Sequence, residues 1–249
     1  MQNVTVVTSA KGGVGKSTIA VSLGVTLANG GKKILLIDGD FGLRNLDFML
    51  GISHKLVFDI SDVIKGNCDI NTAVLSCEKI NNLFLLSSSQ DIAHRLGPSA
   101  MKRLVFLLSK HFDYVIIDSP AGIGGGFVAA AASADKAIVV ATADSISLRS
   151  ANVARCKLND LNSCIKKRLI INKFSRKGFI KSGVFRDLDE VIDITEMQLL
   201  GVIPQDERIS MGFGDDFFYL KNGDISKVLE KIGYRFLDLF KTKVKSSRF

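Results

Sequence analysis

The sequence has little of what marks secreted, metal-binding or disordered chains. Of its 249 residues, 4 are cysteine, 3 are histidine, 3 are proline and none is tryptophan. The cysteines lie at positions 68, 77, 156 and 164, and no pair has the Cys-x-x-Cys spacing of a zinc site or a redox motif. We therefore expect reduced, mostly structural cysteines and no histidine metal site. The scarcity of proline excludes a proline-rich linker protein, and 47% hydrophobic residues are too many for a disordered chain.

The pattern of a membrane span and that of a secretory leader are also missing. The longest uncharged apolar stretch, 119–134, is interrupted by three consecutive glycines. It is shorter than the ~18–20 apolar residues that a spanning helix requires. The chain begins MQNVTVVTSAKGG, without a basic start, an apolar block or a cleavage site. We expect a cytoplasmic protein.

Basic residues outnumber acidic ones, and the excess is concentrated in two segments of the chain. The segment 166–186 holds eight basic residues and no acid, and the segment 227–249 holds seven basic residues against two acids. Because the net charge of the whole chain is +8, the remaining residues are mildly acidic. Such basic segments suit an anionic surface, either lipid headgroups or DNA phosphate, or they are solvated helix faces.

Short β-branched or leucine-rich runs alternate with longer segments of helical spacing. The runs are nearly continuous in apolar residues, which is typical of strands that are buried on both faces. Strands alternating with helices predict βαβ units, and so a single doubly wound α/β domain with a mostly parallel sheet over residues 1–240, followed by a short basic tail, 241–249. The predicted strands are Val4–Thr8, Ile34–Asp38, 83–87, Tyr114–Asp118, 137–141, 169–172 and 201–203, and the predicted helices are Lys16–Asn29, 100–110, 148–159 and 225–240.

A glycine-rich loop follows the first predicted strand. Residues 9–18 read S-A-K-G-G-V-G-K-S-T and lead directly into a predicted helix. Glycines allow backbone N–H groups to turn inward around phosphate oxygens, and the helix N-terminus adds positive potential. Lys16 supplies a charge for the β- and γ-phosphates, and the Ser17 hydroxyl is a hard oxygen ligand for Mg²⁺. The residues predicted to bind nucleotide here are Lys11, Gly12, Gly13, Val14, Gly15, Lys16, Ser17 and Thr18.

This loop departs from the strict Walker A pattern, because Ala10 occupies its first glycine position and a second lysine, Lys11, follows. The sequence K-G-G-V-G-K-S resembles the deviant Walker A motif of the ParA/MinD class of P-loop ATPases. The resemblance implies binding of ATP or ADP with Mg²⁺, an ATP-dependent homodimer and slow hydrolysis. It also implies that Lys11 acts on the partner's phosphates, so that Lys11 and Lys16 are both catalytic. The alternative is a glycine-rich turn with two solvated lysines.

Aspartates follow two of the predicted strands. Asp38 and Asp40 flank a glycine after one strand, and Asp118 ends another. Ligands of open parallel sheets bind at the carboxyl ends of the strands, so these carboxylates are expected beside the phosphate loop, where they can hold Mg²⁺ directly or through water. We expect metal ligation by Ser17, Asp38 and Asp118. The resemblance implies that Asp40 orients the attacking water, although an aspartate at such a position can also be a helix cap or turn former.

Further segments resemble the MinD branch of this class. They are D-G-D-F-G-L-R-N-L-D at 38–47, D-S-P-A-G-I at 118–123 and G-V-I-P-Q-D at 201–206. This resemblance implies that Asn172, Pro204, Gln205 and Asp206 contact the base. It also implies a regulator of septum placement that works with a MinC/MinE-like protein on an anionic membrane surface, at the inner face of the cell membrane. The glycine-rich segment 122–126 is either a loop that responds to the nucleotide or a plain strand–helix connection.

The likeness covers about residues 3–210 and fades beyond them. Proteins of the MinD branch usually end in an amphipathic membrane-targeting helix, whereas the tail 241–249 offers only Val244 and Phe249 as apolar residues, with four basic residues. Three alternatives stay open. They are an FlhG-type regulator of flagellar placement, a ParA-like partition protein that binds DNA through 166–186, and an inert scaffold that has kept the fold.

Overall fold

One eight-stranded sheet organises the computed structural model, which describes residues 3–89, 96–207 and 224–239. The strands are β1 (Val4–Thr8), β2 (Ile34–Asp38), β3 (Val74–Ser76), β4 (Leu83–Leu86), β5 (Tyr114–Asp118), β6 (Lys136–Ala141), β7 (Lys166–Phe174) and β8 (Leu199–Pro204). Their spatial order is β3-β4-β2-β5-β1-β6-β7-β8. Every neighbouring pair is parallel except β3 and β4, which are antiparallel. The predicted doubly wound, mostly parallel sheet is confirmed.

Helices cover both faces of this sheet. They are α1 (Lys16–Asn29), α2 (Leu46–Met49), α3 (Ile60–Lys65), α4 (Ile70–Ala73), α5 (Pro98–Leu108), α6 (Gly125–Ala131), α7 (Ser145–Leu161), α8 (Arg176–Ser182), α9 (Leu188–Thr195) and α10 (Asp224–Leu239), with a 3-10 turn at Ser53–Lys55. Side chains of α1, α2 and α10 form the core on one face, and those of α5, α6, α7 and α9 form the core on the other. Among the described helices, none combines the length and the apolarity that crossing a bilayer would need.

The continuous apolar runs form strands because both of their faces are covered. All five residues of β1 and of β2 are buried, as are all six of β6. Along β1, Val6 belongs to the core under α5 to α7, whereas its neighbour Val7 belongs to the core under α1. Alternate side chains of a strand thus enter opposite apolar layers, so neither face of these central strands favours polar residues.

Several elements differ from the sequence prediction. The edge strand β3 has only three residues, none of them fully buried, and its apolar run is too short to predict a strand. Helix α6 begins at Gly125, inside the stretch predicted as a loop, because burial of Phe127 and three following alanines outweighs the low helix propensity of glycine. The basic segment 166–186 does not form one patch. Lys166, Lys167 and Arg168 begin β7, whereas Lys173 lies near its end and the other four basic residues follow it, so about five residues of strand, roughly 17 Å, separate the two groups.

Helix α10 packs on the sheet through Phe236, as the predicted apolar stripe requires. Phe236 is fully buried, and its ring makes an edge contact with Tyr114, with 5.8 Å between the centroids. The ammonium of Lys136 lies 5.5 Å from the Tyr114 centroid and 5.7 Å from the Phe236 centroid, and it donates to Asn3 Oδ1 at 3.0 Å. Burial lowers the pKa of Lys136. The remaining predicted helix residue, 240, and the tail 241–249 lie outside the described residues.

We expect Phe236→Ala to lower the free energy of unfolding by about 3–5 kcal/mol, because the change empties a fully enclosed aromatic site. The matched control is Tyr234→Ala on the same helix, where the ring is 68% exposed and the expected loss is below about 0.5 kcal/mol. Urea unfolding curves of both variants measure the difference. Equal losses would mean that α10 is not docked through Phe236.

Candidate functional site

The phosphate loop connects β1 to α1 and is shaped by two left-handed glycines. Gly13 has a φ of +73° and Gly15, which caps α1, has a φ of +93°. Glycine adopts these values without the steric cost that a Cβ imposes. No side chain caps α1 and no acidic residue lies in its first turn. Its N-terminal N–H groups and its dipole are therefore arranged for an external anion.

The two lysines of the loop have different surroundings. Lys16 is the first residue of α1 and is buried, with 8% of its surface exposed. Lys11 instead extends toward α7, where its Nζ lies 3.2 Å from Asp144 Oδ1. Burial opposes the charge of Asp144, but hydrogen bonds from Thr142, Ser147 and Lys11 outweigh it and lower the pKa of the carboxyl. Lys16 thus lies at the phosphate loop, while Lys11 is held by the start of α7.

Two carboxylates lie side by side at the carboxyl ends of β2 and β5. Asp38 pairs in register with Asp118, and each is 1% exposed. Burial raises the pKa of Asp38 to about 6. Burial and the neighbouring charge of Asp38 raise the pKa of Asp118 to about 8, against a hydrogen bond from Ser17. The pair is therefore costly to ionise as it stands.

The spacing Asp38-Gly39-Asp40 follows from a close approach of two backbones. The N–H of Gly39 donates to the Asp118 carbonyl oxygen at 2.8 Å, and a Cβ built on Gly39 would lie 2.6 Å from that oxygen. Only glycine fits between the two aspartates. Asp38 in turn accepts the N–H of Asp40 at 2.9 Å, and those of residues 45 and 46 at 3.1 and 3.2 Å. One buried carboxylate thereby joins the two ends of the segment 40–46.

The donor set at this edge fits Mg²⁺. One carboxyl oxygen of Asp118, Oδ1, is buried without a hydrogen-bond partner, and the Ser17 hydroxyl bonds the same carboxyl group. Among the described residues, no group of three or more His, Cys, Asp or Glu could hold a metal ion on its own. Mg²⁺ commonly takes one or two carboxylates and completes its shell with water and substrate phosphates. The predicted set of Ser17, Asp38 and Asp118 is brought together here.

A cavity of about 340 Å³ lies beside these carboxylates. It is enclosed by the segment 39–43 on one side and by the segment 120–127 on the other, and Asp40 is among its lining residues. Asp40 is partly exposed, and Ser88 Oγ donates to its carbonyl oxygen at 3.3 Å. Since both segments follow the strand ends that carry Asp38 and Asp118, the cavity continues the carboxyl edge of the sheet.

The predicted base-contacting residues lie at the ends of β7 and β8. Asn172 is 6% exposed, and its Nδ2 donates to the Val14 carbonyl oxygen at 2.8 Å, which fixes the amide under the phosphate loop. The carboxamide keeps a second N–H and its oxygen for another partner. Gln205 and Asp206 line an open cavity of about 570 Å³ beyond the strand ends, and Pro204 ends β8 just before them. All four residues therefore meet at one edge.

Sequence reasoning missed two residues of this region. Asp144 follows the end of β6, so the strand-end rule that selected Asp38 and Asp118 would also have selected it. The second is Arg44, which has a φ of +44° and whose Nε lies 3.3 Å from a carboxyl oxygen of buried Asp47. Arg44 and Asp47 both belong to the segment 38–47, whose motif was recognised without a role for either of them.

We expect Asp118→Asn to stabilise the protein when Mg²⁺ and nucleotide are absent. Because the folded pKa is about 8 rather than 3.8, the folded chain keeps a proton that the unfolded chain loses, so stability falls as pH rises from about 4 to 8. At pH 8 the variant should melt a few degrees above the wild type, and its melting temperature should fall less between pH 6 and 8. Asp160→Asn, at an exposed position of α7, is the control and should change neither property. A lower melting temperature of Asp118→Asn at pH 8 would contradict the assignment.

Comparison with known proteins identifies the family. A family model described as an AAA domain matches residues 2–171. The septum site-determining protein MinD of Thermotoga maritima is 38% identical over 239 residues, which are 94% of this chain and 88% of that protein. MinD of Bacillus subtilis is 36% identical over 211 residues, which are 84% of this chain and 78% of that protein.

Solved structures agree with this likeness. A chain of the MinC:MinD cell division protein complex of Aquifex aeolicus superposes with a TM-score of 0.83 at 29% identity, covering 99% of both chains. Because similarity at this level extends over most of the chain and most of its relatives, and because the fold agrees throughout, this chain belongs to the MinD family of septum site-determining proteins.

Proposed function

We propose that this chain is a MinD-like ATPase that binds Mg-ATP, forms a homodimer on it and regulates where the division septum is placed. Hydrolysis to ADP and phosphate is slow and resets the dimer. The observation that carries the proposal is the meeting of Lys16, Ser17 and the Asp38–Asp118 pair at one edge of the sheet, with one buried oxygen of Asp118 still without a partner. We assign this role to a domain of residues 1–240.

Phosphoryl transfer needs charge neutralisation and alignment more than covalent chemistry. The N–H groups of the phosphate loop and the Lys16 ammonium bind the β- and γ-phosphates. Ser17, Asp38 and Asp118 are the residues that would hold Mg²⁺, which supplies neutralising charge to the phosphates when bound. Asp40 borders the adjoining cavity, where its carboxylate orients the attacking water.

Lys11 has a separate role, because in this conformation it is paired with α7. The side chains of Lys11 and Asp144 are 37% and 46% exposed, so their ion pair contributes less than about 1 kcal/mol. Such a weak ion pair breaks easily when Lys11 can bind a phosphate, which carries more negative charge than a carboxylate. We propose that Lys11 exchanges Asp144 for the phosphates bound to the second copy, and that this exchange couples ATP binding to dimer formation.

The base is held on the other side of the phosphate loop. The remaining N–H and the oxygen of Asn172 match ring N7 and the 6-amino group of adenine, and Pro204, Gln205 and Asp206 form the adjoining wall. Because Asn172 also bonds Val14, contact with the base is mechanically tied to the loop that contacts the phosphates.

The partners follow from the family. The Aquifex aeolicus relative forms a complex with MinC, and we propose a MinC-like partner for this chain, a MinE-like protein that stimulates hydrolysis, and an anionic membrane surface at the inner face of the cell membrane. The DNA-binding alternative loses support because the basic segment 166–186 is divided between the two ends of β7.

Lys16→Ala should abolish ATP binding, since the chain loses the lysine that begins α1. Lys11→Ala should keep ATP binding but fail to dimerise, because Lys11 acts on the nucleotide of the second copy. The matched control is Asp144→Asn, which frees Lys11 without removing it and should still dimerise. Light scattering during size exclusion with Mg-ATP measures the mass. A normal dimer of Lys11→Ala would rule out the role across the interface.

The proposed role in placing the division septum can be tested by co-sedimentation and by the position of septa in cells. The full chain should sediment with anionic liposomes in Mg-ATP but not in Mg-ADP, and should leave DNA in the supernatant. In the source organism, replacement by the Lys16→Ala chain should displace septa from midcell and leave the number of flagella unchanged. ATP-dependent sedimentation with DNA would favour the ParA-like alternative, and a changed flagellar number would favour the FlhG-type alternative.

A further inference from the structure

Strand β7 is irregular where it reaches the nucleotide site. Its pairing with β8 shifts register between Ile171 and Phe174. Inside this irregular stretch, Lys173 has a φ of +55°, a left-handed conformation that is unfavourable for a residue with a Cβ. Such bulges commonly redirect side chains next to functional sites. The strain at Lys173 therefore calls for a compensating contact.

That contact is made with the phosphate loop. In a regular strand, successive side chains point to opposite faces. Here two successive side chains reach the same loop, because Asn172 Nδ2 donates to the Val14 carbonyl oxygen at 2.8 Å and Lys173 Nζ donates to the Gly13 carbonyl oxygen at 2.9 Å. The bulge thus brings two donors to two consecutive carbonyls of the loop.

These carbonyls are the ones that a phosphate loop must turn outward. A loop that binds anions points its N–H groups inward, which leaves carbonyl oxygens directed away from the anion. A carbonyl oxygen that turned inward would repel the phosphates. The contact at Gly13 is charge-assisted, which makes it stronger than a neutral hydrogen bond, and the ammonium adds positive potential beside the loop.

We propose that Lys173 is a positioning residue for the nucleotide phosphates. Its ammonium holds the Gly13 carbonyl outward, so that the loop is already shaped for the anion before nucleotide arrives. Asn172 does the same for Val14 while it serves the base, whereas Lys173 acts on the phosphate side alone. This role rests on the nucleotide binding of the proposed function.

Binding of Mg-ADP to the full chain by isothermal titration calorimetry tests the proposal. Lys173→Met keeps the length of the side chain but not the donor, and should raise the dissociation constant about 3- to 10-fold, as expected for the loss of one exposed, charge-assisted hydrogen bond. Lys173→Arg should restore binding to within about 2-fold of the wild type. Lys177→Met, at an exposed position of α8 four residues further on, is the control and should bind as the wild type does.

Steady-state hydrolysis gives a second measurement. Since the loop is positioned before chemistry, Lys173→Met should raise KM for ATP by a similar factor and change kcat by less than about 2-fold. A fall in kcat at unchanged KM would overturn the proposal, because it would place Lys173 in the chemical step.

Lys173→Gly separates positioning from a merely structural role. Glycine adopts the +55° φ of this position without steric cost, which offsets the extra conformational freedom that it gives the unfolded chain, so the nucleotide-free variant should melt close to the wild type. It should nevertheless bind Mg-ADP as weakly as Lys173→Met. A melting temperature clearly below that of the wild type, or wild-type affinity of Lys173→Met, overturns the proposal. If the wild-type chain itself does not bind Mg-ADP, the proposed function fails instead.

Discussion

The side-by-side burial of Asp38 and Asp118 is the constraint around which the site is built. Parallel pairing of β2 with β5 puts both carboxylates at one sheet edge, where they repel each other in a poorly solvated position. Asp38 is partly stabilised by three backbone N–H groups, and in accepting them it folds the segment that carries Asp40. The same contacts that stabilise the Asp38 carboxylate therefore also position the segment that carries Asp40. These contacts leave Asp118 Oδ1 without a hydrogen-bond partner, and a bound cation can interact with that oxygen.

The phosphate loop is contacted from two sides, by the start of α7 and by the end of β7. From the α7 side, Asp144 holds Lys11, and from the β7 side, Asn172 and Lys173 hold carbonyls of the loop. The first contact is an exposed ion pair, which is weak and exchangeable. The second pair of contacts is anchored in the sheet and persists only if the bulge in β7 persists. One side of the loop is thus held by a weak, exposed ion pair, and the other side by contacts that are anchored in the sheet.

Much of the fold was predictable because its signals are local. The buried runs Ile34–Asp38 and Tyr114–Asp118 were predicted with the bounds that the structure shows, and the strand-end rule brought Asp38, Asp118 and Asn172 to one edge. The features that escaped prediction depend on contacts distant in sequence. The left-handed backbone at Lys173 coincides with a hydrogen bond from its ammonium to a loop about 160 residues earlier, and nothing in the neighbouring residues signals it. Likewise, α6 forms on glycine and alanine because Phe127 is buried by other elements.

Phe236 packs at one edge of the sheet, and the Asp38–Asp118 pair lies at the opposite edge. Tyr114 and Lys136, which its ring contacts, are the first residues of β5 and β6, so they mark the amino edge of the sheet. The Asp38–Asp118 pair lies at the carboxyl edge, the length of a strand away, or roughly 17 Å for the five residues of β5. Phe236 lies three residues before the end of α10, so the described end of this helix lies near the edge opposite the Asp38–Asp118 pair. The strands that join the two edges therefore connect the carboxylate pair with the end of α10.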